Sequence, residues 1–348
     1  MATVLVTGGA GYIGTHLLVV LQQAGHHVLV LDNFSNAAEV ALDRVTAITG
    51  QPVTAWRADV RDRRMLRDLF GKHTVDHVIH LAGLKAVGES VTTPLTYIDN
   101  NVGGSVALLE EMARAGVRSL VFSSTATVYG EAVASPVGEC APTGGVTSPY
   151  ARSKLMVEDV LADVAAADPR WQIAVLRYFN PVGAHPSGCI GEDPLGTPNN
   201  LMPILSQVAV GRRSSLAIYG NDYPTRDGTG VRDYLHVMDL AEGHLRAMEH
   251  MTGRPGWRVW NLGTGRGASV LEVLREYEAV LGRSIPHRFV ARRPGDIAEY
   301  YADPGKAQRE LGWQATRTLT DMVRDAWQWQ ARNPHGYSTR QKRLEASF

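Results

Sequence analysis

The sequence has few cysteines and no excess of either charge. Its two cysteines, Cys140 and Cys189, lie in turn-rich sequence, so we expect no disulfide framework and a reducing, cytoplasmic compartment. The cysteines and the scattered histidines lack the spacing typical of metal ligands, and no metal is expected. Basic and acidic residues both number 35, and this balance predicts that nucleic acid is not a partner.

Long apolar runs are missing as well. No run approaches the roughly 20 residues that a membrane-spanning helix needs, so no membrane association is expected. The chain enters a strand pattern directly, from Met1 to Gly8, without a signal-peptide layout. A length of 348 residues predicts a large core and two domains or lobes.

The first stretch of the chain has the order strand, glycine-rich turn, helix, strand, acid. Thr3 to Thr7 is a short apolar run suited to a buried parallel strand, and a second strand ends at Asp32. Between them lie Gly8, Gly11 and Gly14. These glycines would let the backbone approach a pyrophosphate at the N-terminus of the helix. Asp32 would accept hydrogen bonds from the adenosine ribose and repel a 2′-phosphate, which favours NAD over NADP.

Strand and helix patterns then alternate as far as Asn180, and a region rich in proline and glycine follows. This order predicts an α/β fold, a Rossmann-type doubly wound parallel sheet with a smaller mixed α/β C-terminal substrate lobe. We expect residues 1–180 to form the NAD-binding domain, with 235–262 returning to it. Residues 181–234 and 263–348 are expected to form the lobe that binds the substrate. Residues 222–234 are expected to be a polar loop.

Tyr150 and Lys154 are spaced four residues apart, so they lie on one face of a predicted helix. A free phenol titrates near pH ~10 and is a poor base at neutral pH. An adjacent ammonium lowers the phenol pKa because it stabilises the phenolate. Such a pair by itself is typical of a solvated helix face. Here it follows a dinucleotide-binding pattern and a Ser/Thr cluster that ends at Thr125, and this order favours catalysis.

Longer motifs extend this interpretation over most of the chain. They are Leu84 to Val91, Ala126 to Gly130, Leu176 to Gly188, Asn199 to Pro203 and Gly228 to Asp239. With the glycine pattern and the Tyr150–Lys154 pair, they resemble the extended short-chain dehydrogenase/reductase family and, within it, the UDP-glucose 4-epimerases. The resemblance runs from about Val4 to about Tyr337.

The resemblance implies a chemistry for the central pair. A member of this family holds NAD tightly, and the phenolate, here Tyr150, takes the proton from the sugar 4-hydroxyl. Hydride passes from C4 to the nicotinamide, and the 4-keto sugar rotates about its link to the diphosphate. Hydride and proton then return to the other face of the sugar. Lys154 would lower the Tyr150 pKa and bind the nicotinamide ribose. The family commonly has serine where this chain has Thr125, which retains the hydroxyl and is stiffer at χ1.

The resemblance also assigns site positions one by one. Those that match cofactor-binding positions are Gly8, Gly11, Tyr12, Ile13, Gly14, Asp32, Asn33, Phe34, Ser35, Asn36, Ala37, Asp59, Val60, Leu81, Ala82, Gly83, Leu84, Lys85, Asn100, Thr125, Tyr150, Lys154 and Phe179. Those that match UDP-sugar positions are Lys85, Thr125, Tyr150, Asn180, Asn200, Leu201, Ala217, Ile218, Tyr219, Arg232, Tyr234, Arg293, Asp296 and Tyr300.

Three of these positions carry a specific expectation. Arg232 and Arg293 suit the diphosphate, because arginine can pair with its oxygens through two hydrogen bonds. Arg226 and Arg292 are interpreted as solvated surface charges. Tyr300 matches a position that gates the group at sugar C2 in the family, and a bulky tyrosine there disfavours N-acetylated sugars.

Several alternatives stay open from the sequence. A UDP-N-acetylglucosamine 4-epimerase or a 4,6-dehydratase would use the same fold and cofactor. The dehydratases resemble Ser-Thr-Asp-Glu-Val-Tyr-Gly at the catalytic strand end, whereas this chain has Ala126 and Thr127 in place of the two acids. A non-catalytic NAD-binding sensor is a third possibility, since fold alone does not establish activity. The resemblance also implies a homodimer formed by packed helices and a role in galactose metabolism.

Overall fold

The computed structural model of the chain describes residues 1–131, 134–194, 196, 198, 200–293 and 295–339. Its strands are β1 Thr3–Thr7, β2 His27–Asp32, β3 Thr54–Arg57, β4 His77–His80, β5 Ser119–Ser123, β6 Gln172–Tyr178, β7 Asn180–Val182, β8 Leu216–Tyr219, β9 Val231–His236, β10 Gly256–Leu262, β11 Gly267–Ser269, β12 His287–Val290 and β13 Glu299–Tyr300. Its α-helices are α1 Tyr12–Gln23, α2 Val40–Thr49, α3 Arg63–Lys72, α4 Val87–Thr92, α5 Pro94–Tyr97, α6 Gly104–Ala115, α7 Pro149–Ala167, α8 Leu201–Ala209, α9 Val237–Met251, α10 Val270–Leu281, α11 Gly305–Leu311 and α12 Leu319–Arg332.

The main sheet has seven strands in the order β10-β6-β5-β4-β1-β2-β3. Every neighbouring pair in it is parallel. The chain leaves β1 toward β2 and β3 on one side and returns to β4, β5 and β6 on the other, so the order reverses beside β1. The predicted doubly wound parallel sheet is confirmed. In such sheets ligands bind outside the carboxyl ends of the strands at this switch point.

Apolar side chains cover both faces of the sheet. On one face, α1 and α9 bury a cluster that includes Leu17, Leu21 and Leu240. On the other face, α3, α6 and α7 bury a second cluster that includes Leu66 and Leu161. Each leucine buried in this way contributes about 1.5–3 kcal/mol. The two packed layers hold the strand ends rigidly, and the site is built on those ends.

The remaining strands form the smaller mixed α/β lobe. β9 pairs with β7 and β13 in parallel and with β11 antiparallel, and β8 pairs with β12 in parallel. Helices α8, α10 and α12 close a third apolar cluster over these strands. The exact bounds of the two lobes stay a prediction, although β10 joins the edge of the main sheet. None of the helices in the described part of the chain combines the length and apolarity needed to cross a membrane.

One local prediction was wrong. Residues 231–234 belong to strand β9 and not to a polar loop. The polar pattern hid the strand because Asp233 is fully buried. Its carboxylate accepts hydrogen bonds from the backbone of Thr264, Gly265 and Ala302. A carboxylate with that many backbone partners can stand in the interior of a sheet.

Candidate active site

The turn between β1 and α1 is shaped for a close backbone approach. Gly8 has φ 71°, and a Cβ atom there would lie 2.7 Å from the backbone nitrogen of Ala82. A Cβ atom on Gly14 would lie 2.5 Å from the Gly8 carbonyl oxygen. Helix α1 begins after Gly11 without a side-chain cap and without an acidic residue in its first turn. Its first N–H groups are therefore free to bind a phosphate, and this cradle fits the pyrophosphate of NAD.

Asp32 stands at the end of β2, beside that turn. Its two carboxylate oxygens accept hydrogen bonds from the backbone N–H groups of Ala10 at 3.0 Å and Phe34 at 2.8 Å. Burial raises the Asp32 pKa, and the hydrogen bonds from Phe34 and Ala10 oppose that shift. Each oxygen keeps a further lone pair. The carboxylate can therefore still accept hydrogen bonds from ribose hydroxyls.

The neighbouring predicted positions are linked to one another. The Asn33 side chain donates to Asp59 at 3.1 Å, and Arg61 pairs with Asp59 at 2.8 Å. The Arg61 side chain lowers the Asp59 pKa to about 2. The guanidinium of Arg57 lies over the ring of Phe34, 4.6 Å from its centroid. These contacts lie at the carboxyl ends of β2 and β3.

Asn101, a residue that the sequence did not single out, is buried between the loop after β4 and helix α7. Its side-chain oxygen accepts the Leu84 N–H at 2.8 Å, and its amide donates to the Ser153 hydroxyl at 2.9 Å. Ser153 in turn donates to the Tyr150 carbonyl at 2.7 Å. The predicted Asn100 lies beside it and donates to Asn101 at 3.0 Å. Asn101 thus ties the loop after β4 to the helix that carries Tyr150.

The backbone around Asn101 explains how it reaches inward. Residues Ile98–Gly103 form a π-helical segment between α5 and α6. Such segments are frequent at functional sites. The only sequence signal was a pair of asparagines inside a helical pattern, where asparagine is a poor helix former.

Tyr150 and Lys154 both lie on α7 and are buried, with 9% and 5% of their surface exposed. The Lys154 ammonium donates to the Ser123 carbonyl oxygen at 2.8 Å and lies over the Phe122 ring, 4.8 Å from its centroid. Burial lowers the Lys154 pKa to about 8, and Glu158 opposes that shift. Lys154 is therefore still mostly charged at neutral pH.

The Tyr150 pKa does not behave as the sequence suggested. Burial raises it above the ordinary value, and a hydrogen bond with Thr125 opposes the rise. The expected lowering by Lys154 is wrong for the polypeptide alone, because the ammonium binds the Ser123 carbonyl and desolvation dominates. A further positive charge beside the phenol is required before Tyr150 becomes a base near neutral pH.

Thr125 holds the start of a short turn. Its hydroxyl oxygen accepts the Thr127 N–H at 3.2 Å and caps the 3-10 helix Ala126–Tyr129. Behind it, the Ser124 hydroxyl donates to Glu158, which forms a buried ion pair with Arg177 at 2.5 Å. These partners fix the floor of the site between β5 and α7.

The predicted sugar positions come from both parts of the molecule. The Tyr300 hydroxyl donates to the Ala126 carbonyl at 2.6 Å, and its ring lies 5.3 Å from that of Phe179. Asn180 is exposed at the start of β7 and pairs in the sheet with Tyr234 on β9. The structure therefore brings Tyr300, Phe179 and Thr125 to one wall of the site.

The four arginines singled out in the sequence have different partners. Arg226 pairs with Glu272, and Arg292 pairs with Asp222. The Arg293 guanidinium instead lies over the Tyr219 ring, 3.9 Å from its centroid. Arg232 donates to the carbonyls of Val231 and Ile297 and lies 3.5 Å from Asp296.

The remaining predicted substrate positions have no contact with Tyr150, Lys154 or Thr125 among the interactions described above. Ile218 packs in the core of the smaller lobe with 1% of its surface exposed, so only its backbone can contact a ligand. Lys85 forms an ion pair with Glu192 at 3.3 Å. Asn200 occupies the N-cap position of α8 without a capping hydrogen bond from its side chain, and Asn199 lies outside the described residues. Within the described ranges, no group of three or more His, Cys, Asp and Glu residues could hold a metal.

Comparisons with known proteins match this geometry. A model of the NAD dependent epimerase/dehydratase family matches residues 4–263. The UDP-glucose 4-epimerase of Neisseria meningitidis serogroup B is 54% identical over 337 residues, which cover 97% of this chain and 99% of that protein.

Two solved structures are also similar. UDP-glucose 4-epimerase from Bifidobacterium longum, solved with NAD⁺ and UDP, has a TM-score of 0.93 and 52% identity, and the match covers 96% of this chain and 100% of that one. The enzyme from Stenotrophomonas maltophila, solved with NAD and formylated UDP-arabinopyranose, has a TM-score of 0.94 and 50% identity, with 96% and 99% covered. The resemblance inferred from the sequence motifs is confirmed.

Proposed function

The chain belongs to the NAD dependent epimerase/dehydratase family, and on that premise we propose that it interconverts UDP-glucose and UDP-galactose by inversion at C4. The observation that supports this activity best is the convergence of Tyr150, Lys154 and Thr125 beyond the end of β5. All three are buried there, at the edge of the sheet that also carries the glycine-rich turn. A proton acceptor and a dinucleotide cradle on one edge are what such a reaction needs.

When bound in the glycine-rich cradle, NAD would accept hydride from C4 and return it, and it would add a positive charge to the site. Tyr150 as phenolate takes the proton from the 4-hydroxyl and holds it on its oxygen while the sugar is a 4-ketone. It returns that proton once the ketone presents its other face. Lys154, together with the positive charge of bound NAD, would stabilise the phenolate. Thr125 orients the 4-hydroxyl and the phenol toward each other.

One incubation tests this proposal. Purified protein is mixed with UDP-galactose without added cofactor, UDP-glucose is quantified, and bound nucleotide is released by denaturation and identified. We expect UDP-glucose to form and NAD to be released. Release of NAD without any conversion would favour a non-catalytic sensor. Loss of water from the sugar would favour a 4,6-dehydratase, which Ala126 and Thr127 argue against because neither can act as acid or base.

The two adjacent arginines give a matched test of diphosphate binding. We expect Arg293→Met to raise the KM for UDP-galactose about tenfold or more, because a charge-assisted hydrogen bond is worth about 1.5–3 kcal/mol. The turnover number should change little, since the diphosphate does not react. Arg292→Met is the control, because Arg292 is already paired with Asp222. Equal KM values in the two variants, measured by steady-state kinetics, would exclude this role.

Thr125 should contribute through its hydroxyl. We expect Thr125→Val to lower the turnover number about 10- to 100-fold, because it removes the hydroxyl that opposes the rise in the Tyr150 pKa and that would orient the transferred proton. Thr125→Ser retains the hydroxyl and should remain as active as the parent. Both variants are compared by turnover number and by thermal unfolding, which separates a loss of the turn cap from a loss of catalysis. Undiminished turnover in the valine variant would contradict this role.

Tyr300 should restrict the size of the group at sugar C2. Its side chain is 7% exposed and is fixed by Ala126 and Phe179, so it fills space that a smaller residue would open. We expect Tyr300→Ser to raise kcat/KM for UDP-N-acetylglucosamine relative to UDP-glucose by about tenfold or more. The measurement is the ratio of the two kcat/KM values in each protein. An unchanged ratio would show that Tyr300 is only a packing residue.

A homodimer, a cytoplasmic location and a role in galactose metabolism complete the proposal. Exposed apolar side chains cluster on α4, α5 and α7, and they support a helical interface. They are Val87 at 47%, Val91 at 61%, Leu95 at 81% and Met156 at 40% exposure. A helical face of this kind is typical of a surface that packs against another chain. A monomeric mass by light scattering would contradict the dimer.

A further inference from the structure

The loop that follows β7, residues 183–193, is bound to two elements that are predicted to hold the cofactor. Tyr12, the first residue of α1, donates its phenol proton to the Gly183 carbonyl oxygen at 2.7 Å. Near the other end of the loop, Glu192 pairs at 3.3 Å with Lys85, which lies in the loop after β4. Because β1 and β4 are neighbours in the main sheet, these two contacts lie on either side of the switch point where a dinucleotide crosses the sheet.

Helix α12 and the residues after it contact the same loop. The Trp329 indole N–H donates to the Glu192 carbonyl oxygen at 3.2 Å. The Tyr337 backbone N–H donates to the Asp193 carboxylate at 2.8 Å, and the Tyr337 hydroxyl oxygen accepts the Gly191 N–H at 3.2 Å. The two aromatic rings also pack on each other, with 4.7 Å between their centroids. The last turn of the described chain is therefore tied to the loop by both backbone and side-chain groups.

Arg44 on α2 joins this C-terminal segment to the part of the chain that is predicted to bind NAD. Its guanidinium lies over the Tyr337 ring, 4.8 Å from the centroid, and 5.4 Å from the centroid of the Trp329 ring. The same group donates to the Asn333 side-chain oxygen at 2.7 Å and to the Cys189 carbonyl oxygen, within the loop, at 2.8 Å. A planar guanidinium can stack on rings and donate hydrogen bonds at once. One cation thus contacts both rings and the loop.

The middle of the loop is packed closely between α1 and α12. Ile190 is fully buried in the apolar cluster that also contains Leu17 of α1. A Cβ atom on Gly191 would lie 2.3 Å from Cγ of Trp329, so the loop backbone touches the indole ring directly. The loop therefore cannot move away from α1 unless the Trp329 and Tyr337 rings move as well.

We propose that Arg44 and Tyr337 are positioning residues that keep the 183–193 loop in contact with the cofactor-binding elements and so slow the dissociation of NAD. A dinucleotide that crosses the switch point can leave only when the loop releases the elements on either side. With the C-terminal contacts in place, that opening must also break the ring contacts and the hydrogen bonds of Arg44, so it occurs less often. The inference needs bound NAD but not the reaction at C4, and it goes beyond the proposed function.

The test measures how fast NAD leaves the holoenzyme. Each protein is mixed with an excess of deuterium-labelled NAD, free nucleotide is removed at intervals, and the fraction of bound NAD that has been replaced is determined by mass spectrometry. We expect Tyr337→Ala to exchange NAD about tenfold faster or more, because it loses the ring contacts and the hydroxyl that binds Gly191. Tyr337→Phe keeps the ring and loses only the hydroxyl, so its exchange should be about threefold faster.

Arg44→Met should accelerate NAD exchange about as much as Tyr337→Ala does. The protein with both changes should exchange NAD no faster than the faster single variant, because both changes remove the same contact and their effects are not additive. Two effects that multiply in the double variant would show that the residues act independently and would contradict the proposal.

Arg118→Met is the matched control. The Arg118 guanidinium also stacks on a tryptophan, 5.2 Å from the Trp171 ring centroid, and it donates to the Ala113 carbonyl oxygen at 2.9 Å. Arg118 directly precedes β5, so it lies at the amino edge of the sheet and not at the edge that carries the site. This variant should unfold at a lower temperature and keep the parental rate of NAD exchange.

Amide hydrogen exchange shows where each change acts. Backbone amides of residues 183–193 should exchange faster in the Arg44→Met and Tyr337→Ala proteins and at the parental rate in Arg118→Met. A parental rate of NAD exchange in folded Tyr337→Ala protein, or an equal acceleration in Arg118→Met, would overturn the inference. If Tyr337→Ala does not fold, Tyr337→Phe decides by the same comparison. NAD exchange is measured whether or not UDP-galactose is converted, so a failure here and a failure of the proposed function are distinguishable.

Discussion

Replacing Tyr150 with phenylalanine is expected to lower the turnover number by about 10³-fold and to leave the bound cofactor in place. The phenol oxygen is the only group on α7 that we assign to the transferred proton, and a positioned general base contributes about 10²- to 10⁴-fold. The ring remains and still fills its buried position, so the fold and the dinucleotide cradle should not change. The measurements are the steady-state conversion of UDP-galactose and the amount of NAD released on denaturation.

Tyr277→Phe is the matched control for that loss. Tyr277 is also fully buried, and its hydroxyl bonds to Ser206 at 2.9 Å within the smaller lobe. Its removal should cost about 1 kcal/mol of folding stability and leave turnover unchanged. Undiminished inversion by the Tyr150→Phe protein would mean that another group takes the proton, and the proposed mechanism would have to be abandoned.

Gly14→Ala is expected to weaken NAD binding so far that the cofactor is lost during purification. The added Cβ atom would lie 2.5 Å from the Gly8 carbonyl oxygen and 2.6 Å from Gly9 Cα. Both are backbone atoms, so the turn itself must shift. Backbone strain of about 3 kcal/mol corresponds to an NAD affinity about 100-fold weaker. We expect the variant to purify with little bound NAD and to need added NAD for activity.

Gly71→Ala is the control for the glycine change. Gly71 lies in α3, where an added Cβ atom meets nothing within 4 Å. This variant should retain NAD and, because alanine is the better helix former, gain a few tenths of a kcal/mol or more. Nucleotide content after denaturation and thermal unfolding are measured for both proteins. Full NAD retention by the Gly14→Ala protein would show that the cradle tolerates a side chain and that the pyrophosphate lies elsewhere.

Local patterns in the sequence were sufficient to predict those features of the candidate site that depend on residues close together in the chain. Gly8, Gly14 and Asp32 are recognisable because a strand, a turn and a helix follow one another within a short segment. The spacing of Tyr150 and Lys154 likewise reports a helical face. The motifs predicted Arg226 and Arg292 to be surface charges, and the structure places both in ion pairs. The assignment of Arg232 and Arg293 to the diphosphate stays a prediction.

Contacts between segments that are distant in the chain could not be predicted from local sequence patterns. Asn101 enters the site through a π-helical segment, and His244 reaches Ser123 across 121 positions of the chain. Strand β9 was overlooked because Asp233 finds its partners on other segments. No local pattern encodes these pairings, since they exist only after the sheet has been assembled.

The amino-acid sequence by itself therefore determined the choice of NAD and most of the order of strands and helices, with β9 as the exception, and it predicts which phenol transfers the proton. Only the tertiary structure decided the pKa values and the hydrogen-bond partners of the site residues. It gave Lys154 the Ser123 carbonyl as its partner and raised the Tyr150 pKa. The physical reason is that desolvation and hydrogen-bond direction depend on every atom that surrounds a group, whereas spacing along the chain depends only on its neighbours.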